Sequence, residues 1–161
     1  MKENKGLFWK VLSSEYIHQD TWLTARKESV QMPGGHIIEP YYVLDYPNWV
    51  NTIAITKDGK FVLVRQYRHG LQSVNFELCA GMAEKGEEPM ESAKRELLEE
   101  TGYGNGVWSQ YMVLSANPST HSNLNYCFLA VGVEKIQEQE LEDSEDITVH
   151  VLTTGEVKEL L

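Results

Sequence analysis

The sequence predicts an α+β fold in which a small antiparallel β-rich layer precedes a sheet interrupted by one loop and one helix. Three observations predict it. β-rich runs of six to eleven residues recur along the chain between turn signals. A single strongly helical segment stands between Pro89 and Gly102. The composition, 42% hydrophobic and 24% charged over 161 residues, is that of an ordinary globular protein with one principal core.

Taken in order, residues 8–16 and 21–31 read as strands, Pro33-Gly34-Gly35 as a turn, and residues 37–45 as a third strand. They form a layer of their own, which places a boundary between an N-terminal segment, 1–48, and a main domain, 49–161. Residues 51–56 and 61–67 flank Lys57-Asp58-Gly59-Lys60, and an Asp-Gly pair between β-rich runs signals a hairpin. Residues 75–80 make one further strand leading into Gly81. After the helix, residues 107–114, 125–133 and 147–152 are again β-like, and 155–161 suggest a short closing helix. Internal repeats and low-complexity stretches are absent from the sequence.

The helix carries the chemistry. Pro89 suits its first turn, where a missing N–H costs nothing, and Gly102 suits the residue past its end. At about 3.6 residues per turn, Met90, Ala93, Leu97 and Thr101 fall on one side and Glu96, Glu99 and Glu100 on the other. Like charges three and four residues apart oppose each other by roughly 0.2–0.5 kcal/mol per pair. A divalent cation would reverse that sign, and hard carboxylate oxygens suit Mg²⁺, with Mn²⁺ as the alternative. The plainer alternative is a solvated acidic face, its repulsion offset by Arg95.

A formal charge of −10 and a pI near 4.9 argue against a protein that lives on nucleic-acid backbones. A small phosphorylated metabolite stays compatible, because bound metal and local arginines can invert the charge inside one cleft. Cys79 and Cys127 lie in apolar runs and read as buried small hydrophobes, without zinc or disulfide spacing. The five histidines, at 18, 36, 69, 121 and 150, lack metal-ligand spacing and read as surface or satisfied core residues. No stretch has the length and apolarity of a signal peptide or a membrane span, so the expectation is a cytoplasmic enzyme.

Residues 81–103 run G-M-A-E-K-G-E-E-P-M-E-S-A-K-R-E-L-L-E-E-T-G-Y: a glycine, five residues, Glu87, seven residues, then Arg95-Glu96-Leu97-Leu98-Glu99-Glu100-Thr101-Gly102. This resembles the Nudix hydrolase signature with every fixed position present. The resemblance implies an α/β/α sandwich with a mixed sheet, and hydrolysis of a diphosphate joined to a nucleoside. It implies metal ligation by Glu96, Glu99 and Glu100 with the backbone carbonyl of Ala80, and orientation of those carboxylates by Arg95 and Glu87. It covers residues 49–155 well, and the first 48 only through a subfamily. Family members usually continue through a longer C-terminal helix that covers one side of the sheet, so a short or trimmed C-terminus is expected here.

Three further segments resemble the ADP-ribose and nucleotide-sugar pyrophosphatase subfamily. In Val64-Arg65-Gln66-Tyr67-Arg68 the last arginine would contact substrate phosphate, as its planar fork allows. In Phe76-Glu77-Leu78-Cys79-Ala80-Gly81, with cysteine where proline is commoner, Glu77 would stand near the metals. The N-terminal segment resembles the region through which such enzymes form homodimers and stack aromatic residues on adenine; Trp22 and Tyr41, or Tyr42, match best. The polar loop at 117–123 matches the substrate loop, with Ser119 as a binding residue. The general base would come from the acidic stretch 138–146, with Asp143 and Glu145 leading, Glu142 behind them, and Glu99 as the alternative from other branches. Each has a plainer reading: a surface arginine at 68, a strand-end ion pair at 77, core aromatics at 22 and 41, an ordinary turn at 119 and a solvated loop at 138–146. Two rivals remain at this point. One is a Nudix hydrolase of nucleoside triphosphates, against which the N-terminal layer and Arg68 argue. The other is a non-catalytic nucleotide-sugar sensor, which usually carries an attached DNA-binding domain.

Overall fold

The computed structural model describes residues 6–20 and 23–160. These fall into two compact units: residues up to Tyr46 together with Ser115–Asn123, and Pro47–Leu114 together with Leu124 onward.

The first unit is a three-stranded antiparallel sheet, β1 (Lys10–Gln19), β2 (Thr24–Gln31) and β3 (Ile37–Asp45), with β2 in the middle. The Pro33-Gly34-Gly35 turn closes with Gly35 N–H donating to the Met32 carbonyl, and Gly35 takes a φ of 86° that a side chain would resist. Buried Glu28 accepts from Arg26 at 2.8 Å and from Ser14 at 3.0 Å, and Arg26 reaches on to Asp45 at 2.5 Å. β1 is an edge strand exposed along its whole length, Val11, Leu12, Tyr16 and Ile17 included.

The second unit holds β4 (Trp49–Thr56), β5 (Phe61–Arg68), β6 (Ser73–Glu77), β7 (Cys79–Met82), helix α1 (Pro89–Thr101), β8 (Tyr103–Gly104), β9 (Val107–Leu114), β10 (Asn125–Lys135), β11 (Ile147–Leu152) and helix α2 (Thr154–Glu159). The sheet runs β11-β5-β4-β10-β8, with β6 beside β5, β7 beside β4 and β9 beside β10; only β10–β4 is parallel, which makes the sheet mixed. The Asp58-Gly59 hairpin forms, with Thr56 N–H on the Lys60 carbonyl at 2.8 Å and Gly59 at a φ of 81°. The core lies between this sheet and α1, where Ala54, Val62, Cys79, Leu97, Ala130 and Val133 pack together beside Val50, Ala93 and Phe128.

Two expectations are corrected. Residues 75–80 are not one strand: the chain turns a corner at Leu78, so Glu77 pairs with Val64 of β5 while Cys79 pairs with Thr52 of β4. An unbroken strand could follow only one of those neighbours. The acidic face of α1 is also narrower than expected. Glu100 lies seven residues after Ala93 and three after Leu97, on the edge of the packing stripe, and is 3% exposed.

Candidate active site

α1 starts and stops as its sequence directs. Pro89 occupies the first turn, and Gly102, at a φ of 73°, turns its N–H back onto the Leu98 carbonyl. The last turn contains no basic residue. Glu99 and Glu100 therefore sit against the negative end of the helix dipole, an unfavourable placement unless something offsets it.

Arg95 is the hub. Its Nε and Nη2 donate to Glu87 at 3.2 and 3.1 Å, its Nη1 to Glu96 at 3.0 Å and Glu99 at 2.9 Å, and its Nη2 also to the Met82 carbonyl at 3.1 Å. A planar fork can serve partners in several directions at once; an ammonium cannot hold that geometry. Glu87 is fixed from the other side by the Ser92 hydroxyl at 2.7 Å and the Glu84 N–H at 3.2 Å. These donors, Arg95 first, hold the Glu87 carboxyl down to about 2.

Burial pushes the Glu96 carboxyl up despite Arg95, and burial pushes Glu100 up to about 7 although the neighbouring Cys79 thiol and the Ala80 N–H, which donates at 3.2 Å, act to lower it. Gly81 makes the approach possible: a Cβ there would lie 2.0–2.3 Å from the Glu96 carboxylate.

Among the described residues no three His, Cys, Asp or Glu side chains stand together as a ready-made metal cage. Glu96 and Glu99 are turned onto Arg95, which supplies the positive charge in this arrangement. The donor set nevertheless fits a hard divalent cation, with three carboxylates from one helix and a glycine opposite that leaves Glu96 room.

Near the same helix, Arg68 is clamped by Glu77 through Nε at 3.0 Å and Nη2 at 2.7 Å, and Gln66 joins Glu77 at 3.3 Å. The Arg68 guanidinium is raised by Glu77 first and also by the charge of Glu100. Of the acidic loop, Glu145 is half-buried, accepts from the Glu142 N–H at 2.9 Å, and its charge is felt at Glu96 and Glu100; Asp143 and Glu142 are exposed. In the first unit the Tyr41 hydroxyl donates to the Ser119 carbonyl, which brings those two residues together, with Tyr42 exposed nearby in β3. Trp22 lies outside the described residues.

Two contributors, Ser92 and Gln139, escape sequence reasoning, and for a third, Gly81, the steric reason does. Ser92 holds Glu87, and the spacing of five residues was the available signal. Gly81 is marked by the signature, but its steric reason, room for the Glu96 carboxylate, shows only in the structure. Gln139, whose amide reaches the Glu100 carbonyl at 2.6 Å, gave no signal at all.

Comparison with known proteins agrees with this geometry. Residues 46–160 match the NUDIX domain, and residues 9–44 match the nucleoside diphosphate sugar hydrolase N-terminal domain. An ADP-ribose pyrophosphatase of Bacillus subtilis is 30% identical over 98% of this chain and 85% of its own length. One from Mycobacterium tuberculosis is 31% identical over 88% and 69%, and a methanol dehydrogenase activator of Bacillus methanolicus is 30% identical over 91% and 80%. A crystal structure of an ADP compounds hydrolase shares the fold, with a TM-score of 0.81, 22% identity, and coverage of 94% of this chain and 82% of the other. With an intact acid-bearing helix, its arginine hub and a matching N-terminal layer, the chain belongs to the Nudix hydrolases, in their ADP-ribose and nucleotide-sugar pyrophosphatase branch.

Proposed function

We propose that this protein hydrolyses the pyrophosphate bond of ADP-ribose or a closely related nucleoside diphosphate sugar, giving a nucleoside monophosphate and a sugar phosphate. The observation that carries the proposal is the Arg95 hub, which gathers Glu87 of the preceding loop with Glu96 and Glu99 of the helix that also brings Glu100 against Ala80. Three findings support the same reading: this chain's signature, the match of its N-terminal segment to the nucleoside diphosphate sugar hydrolase N-terminal domain, and the activity for which the similar pyrophosphatases are named.

Glu96, Glu99 and Glu100, with the Ala80 carbonyl, would hold Mg²⁺, or Mn²⁺ in its place. When bound, such an ion neutralises diphosphate charge and lowers the pKa of the attacking water. Arg95 and Glu87 keep the carboxylates aimed. Arg68, already oriented by Glu77, presents its fork to a phosphate. In the reaction a water oxygen bonds to one phosphorus, the bridging P–O bond breaks, and the displaced phosphate leaves as the second product. The water's proton passes to a carboxylate. We assign this to Glu145, since its half-buried side chain faces the helix glutamates electrostatically, whereas Asp143 stands in solvent. Tyr41 and Ser119, paired in the first unit, and Trp22 are proposed for the base and ribose.

A homodimer through the N-terminal unit belongs to the proposal: β1 offers an edge ten residues long that pairs with no other strand than β2 among the described residues and bears exposed apolar side chains, a template for a second strand. The two free, buried thiols suit a reducing compartment, and a cytoplasmic setting is proposed. No helix among the described residues is long and apolar enough to cross a membrane.

The test is a panel of nucleoside diphosphate sugars and nucleoside triphosphates with Mg²⁺, Mn²⁺ or chelator, scored by phosphomonoester release, with solution mass measured in parallel. Turnover of ADP-ribose that stops with chelator is expected. Turnover of triphosphates alone would move the protein to the rival class, and no turnover of any member would end the proposal.

A further inference from the structure

The C-terminal turn of α1 faces a difficulty that its own sequence does not solve: unpaired carbonyls, two nearby carboxylates and no basic residue in the last turn. The structure meets it from outside the helix. The Glu140 N–H donates to the Glu99 carbonyl at 2.9 Å. The Gln139 side-chain amide donates to the Glu100 carbonyl at 2.6 Å and, on its other side, to the Ile147 carbonyl at 3.3 Å. The Ile136 and Gln137 N–H groups both reach the Gly102 carbonyl, at 2.9 and 3.3 Å. Segment 136–140 therefore caps the helix, and Gln139 bridges the helix end to the first residue of β11.

Between those two anchor points lies the acidic loop. It leaves the clasp at Glu140 and rejoins the sheet at Ile147, and its turn is closed by Glu145 N–H on the Glu142 carbonyl at 3.0 Å and by the Glu145 carboxylate on the Glu142 N–H at 2.9 Å. The loop's first end is held by Glu140 N–H on the Glu99 carbonyl, and its second end, Ile147, is tied through Gln139 to the neighbouring Glu100 carbonyl. A loop with many acidic side chains has reason to drift from an acidic helix, since like charges repel; a neutral amide with two N–H donors is a suitable tether, because it meets two carbonyls without adding charge.

We infer that Gln139 is a positioning residue that clasps the acidic loop to the C-terminal turn of α1 and thereby sets where Glu145 stands relative to the helix glutamates. This rests on the proposed assignment of Glu145 as the base, and two readouts separate the claims. Hydrogen exchange in Gln139→Ala reads the clasp without reference to activity. Protection of the Glu140 and Glu145 amides is expected to fall at least tenfold, with the Leu97 and Leu98 amides of mid-helix unchanged; unchanged protection at Glu140 and Glu145 would overturn the clasp.

Kinetics of Gln139→Ala, Glu145→Gln and the double variant read the positioning. Gln139→Ala is expected to lower kcat about tenfold or more with KM and Tm close to the parent. It should add no further loss in the Glu145→Gln background, because removing the base and misplacing it are one defect. An equal loss in both backgrounds, or a fall in Tm that accounts for the lost activity, would overturn the positioning role. Full activity in Glu145→Gln would overturn the base assignment and the positioning role built on it, while the exchange result would still decide whether the clasp exists. Gln139→Glu keeps the size but loses the donors at neutral pH, and is expected to match Gln139→Ala there; parental activity above pH 7 would contradict the tether.

Discussion

Replacing Gly81 by alanine separates the chemistry of this site from its stability. The new methyl carbon would sit 2.0 Å from the Glu96 carboxyl carbon and 2.2–2.3 Å from its oxygens, which are its three nearest heavy atoms. Gly81 is not in the left-handed region, so its backbone accepts alanine, and the colliding group is the tip of a flexible side chain. The carboxylate must move and surrender its 3.0 Å bond to Arg95. A hydrogen bond between charged groups contributes about 1.5–3 kcal/mol. Alanine returns roughly 0.4–1 kcal/mol by restricting the unfolded chain. The net loss is about 1–2 kcal/mol, and at ~2–4 °C per kcal/mol for a chain of this size the Tm falls by about 2–8 °C. A domain stable by ~5–15 kcal/mol stays folded under that loss.

Activity should respond on another scale. Disturbing the groups that aim metal ligands typically costs ~10–100-fold, and here a ligand itself is displaced, so kcat should fall by about 100-fold or more. The assay pairs thermal unfolding with ADP-ribose turnover across a Mg²⁺ titration. Parental turnover at any Mg²⁺ concentration would refute the role given to Glu96, and a Tm lower by more than about 15 °C would refute the claim that the side chain absorbs the clash.

Two further expectations follow from the same hub. Arg95→Lys keeps the charge but cannot reach Glu87, Glu96, Glu99 and the Met82 carbonyl together, so the Mg²⁺ concentration for half-maximal rate should rise about 10–100-fold; an unchanged metal response would remove the hub from the mechanism. Glu87, held down to about 2 against ~4.3 in an unfolded chain, contributes stability that is complete above about pH 5 and is lost as pH falls toward 2. Glu87→Gln should therefore be less stable than the parent near pH 7 by about 1–2 kcal/mol in chelator and should show a flatter acid limb; parallel curves for the two proteins from pH 5 to 2.5 would contradict the assignment.

The parts of this fold that the sequence made legible are those governed by local rules. Proline and glycine mark the ends of α1, the Asp58-Gly59 pair marks its hairpin, and residues 37–45, 107–114 and 147–152 are strands at the boundaries their composition indicates. What stayed hidden depends on partners distant in sequence. The corner at Leu78 exists because β5 and β4 each claim part of one β-rich run. Helical periodicity puts Glu100 on one arc with Glu96 and Glu99, yet it borders the stripe of Ala93 and Leu97, and only packing against the sheet decides that it is buried. β8 consists of two residues, Tyr103 and Gly104, paired only to the end of β10, too short to leave a pattern. Gln139 has no local signal because its partners lie 39 and 8 residues away.

The nine residues Ser115–Asn123 belong by their contacts with the strands that open the chain: Leu44 N–H meets the Thr120 carbonyl at 2.8 Å, Ser122 N–H meets the Leu44 carbonyl at 3.1 Å, and Tyr46 lies edge-on to His121. The layer is therefore discontinuous in sequence, and it is not a cassette that one cut can excise. A chain shortened to begin at Pro47 would leave this loop without the backbone partners that shape it, and grafting the leading strands onto a relative would require transplanting the loop as well. Inheritance of the two pieces is expected to be joint, with insertions and deletions in one tolerated only where the other changes in step.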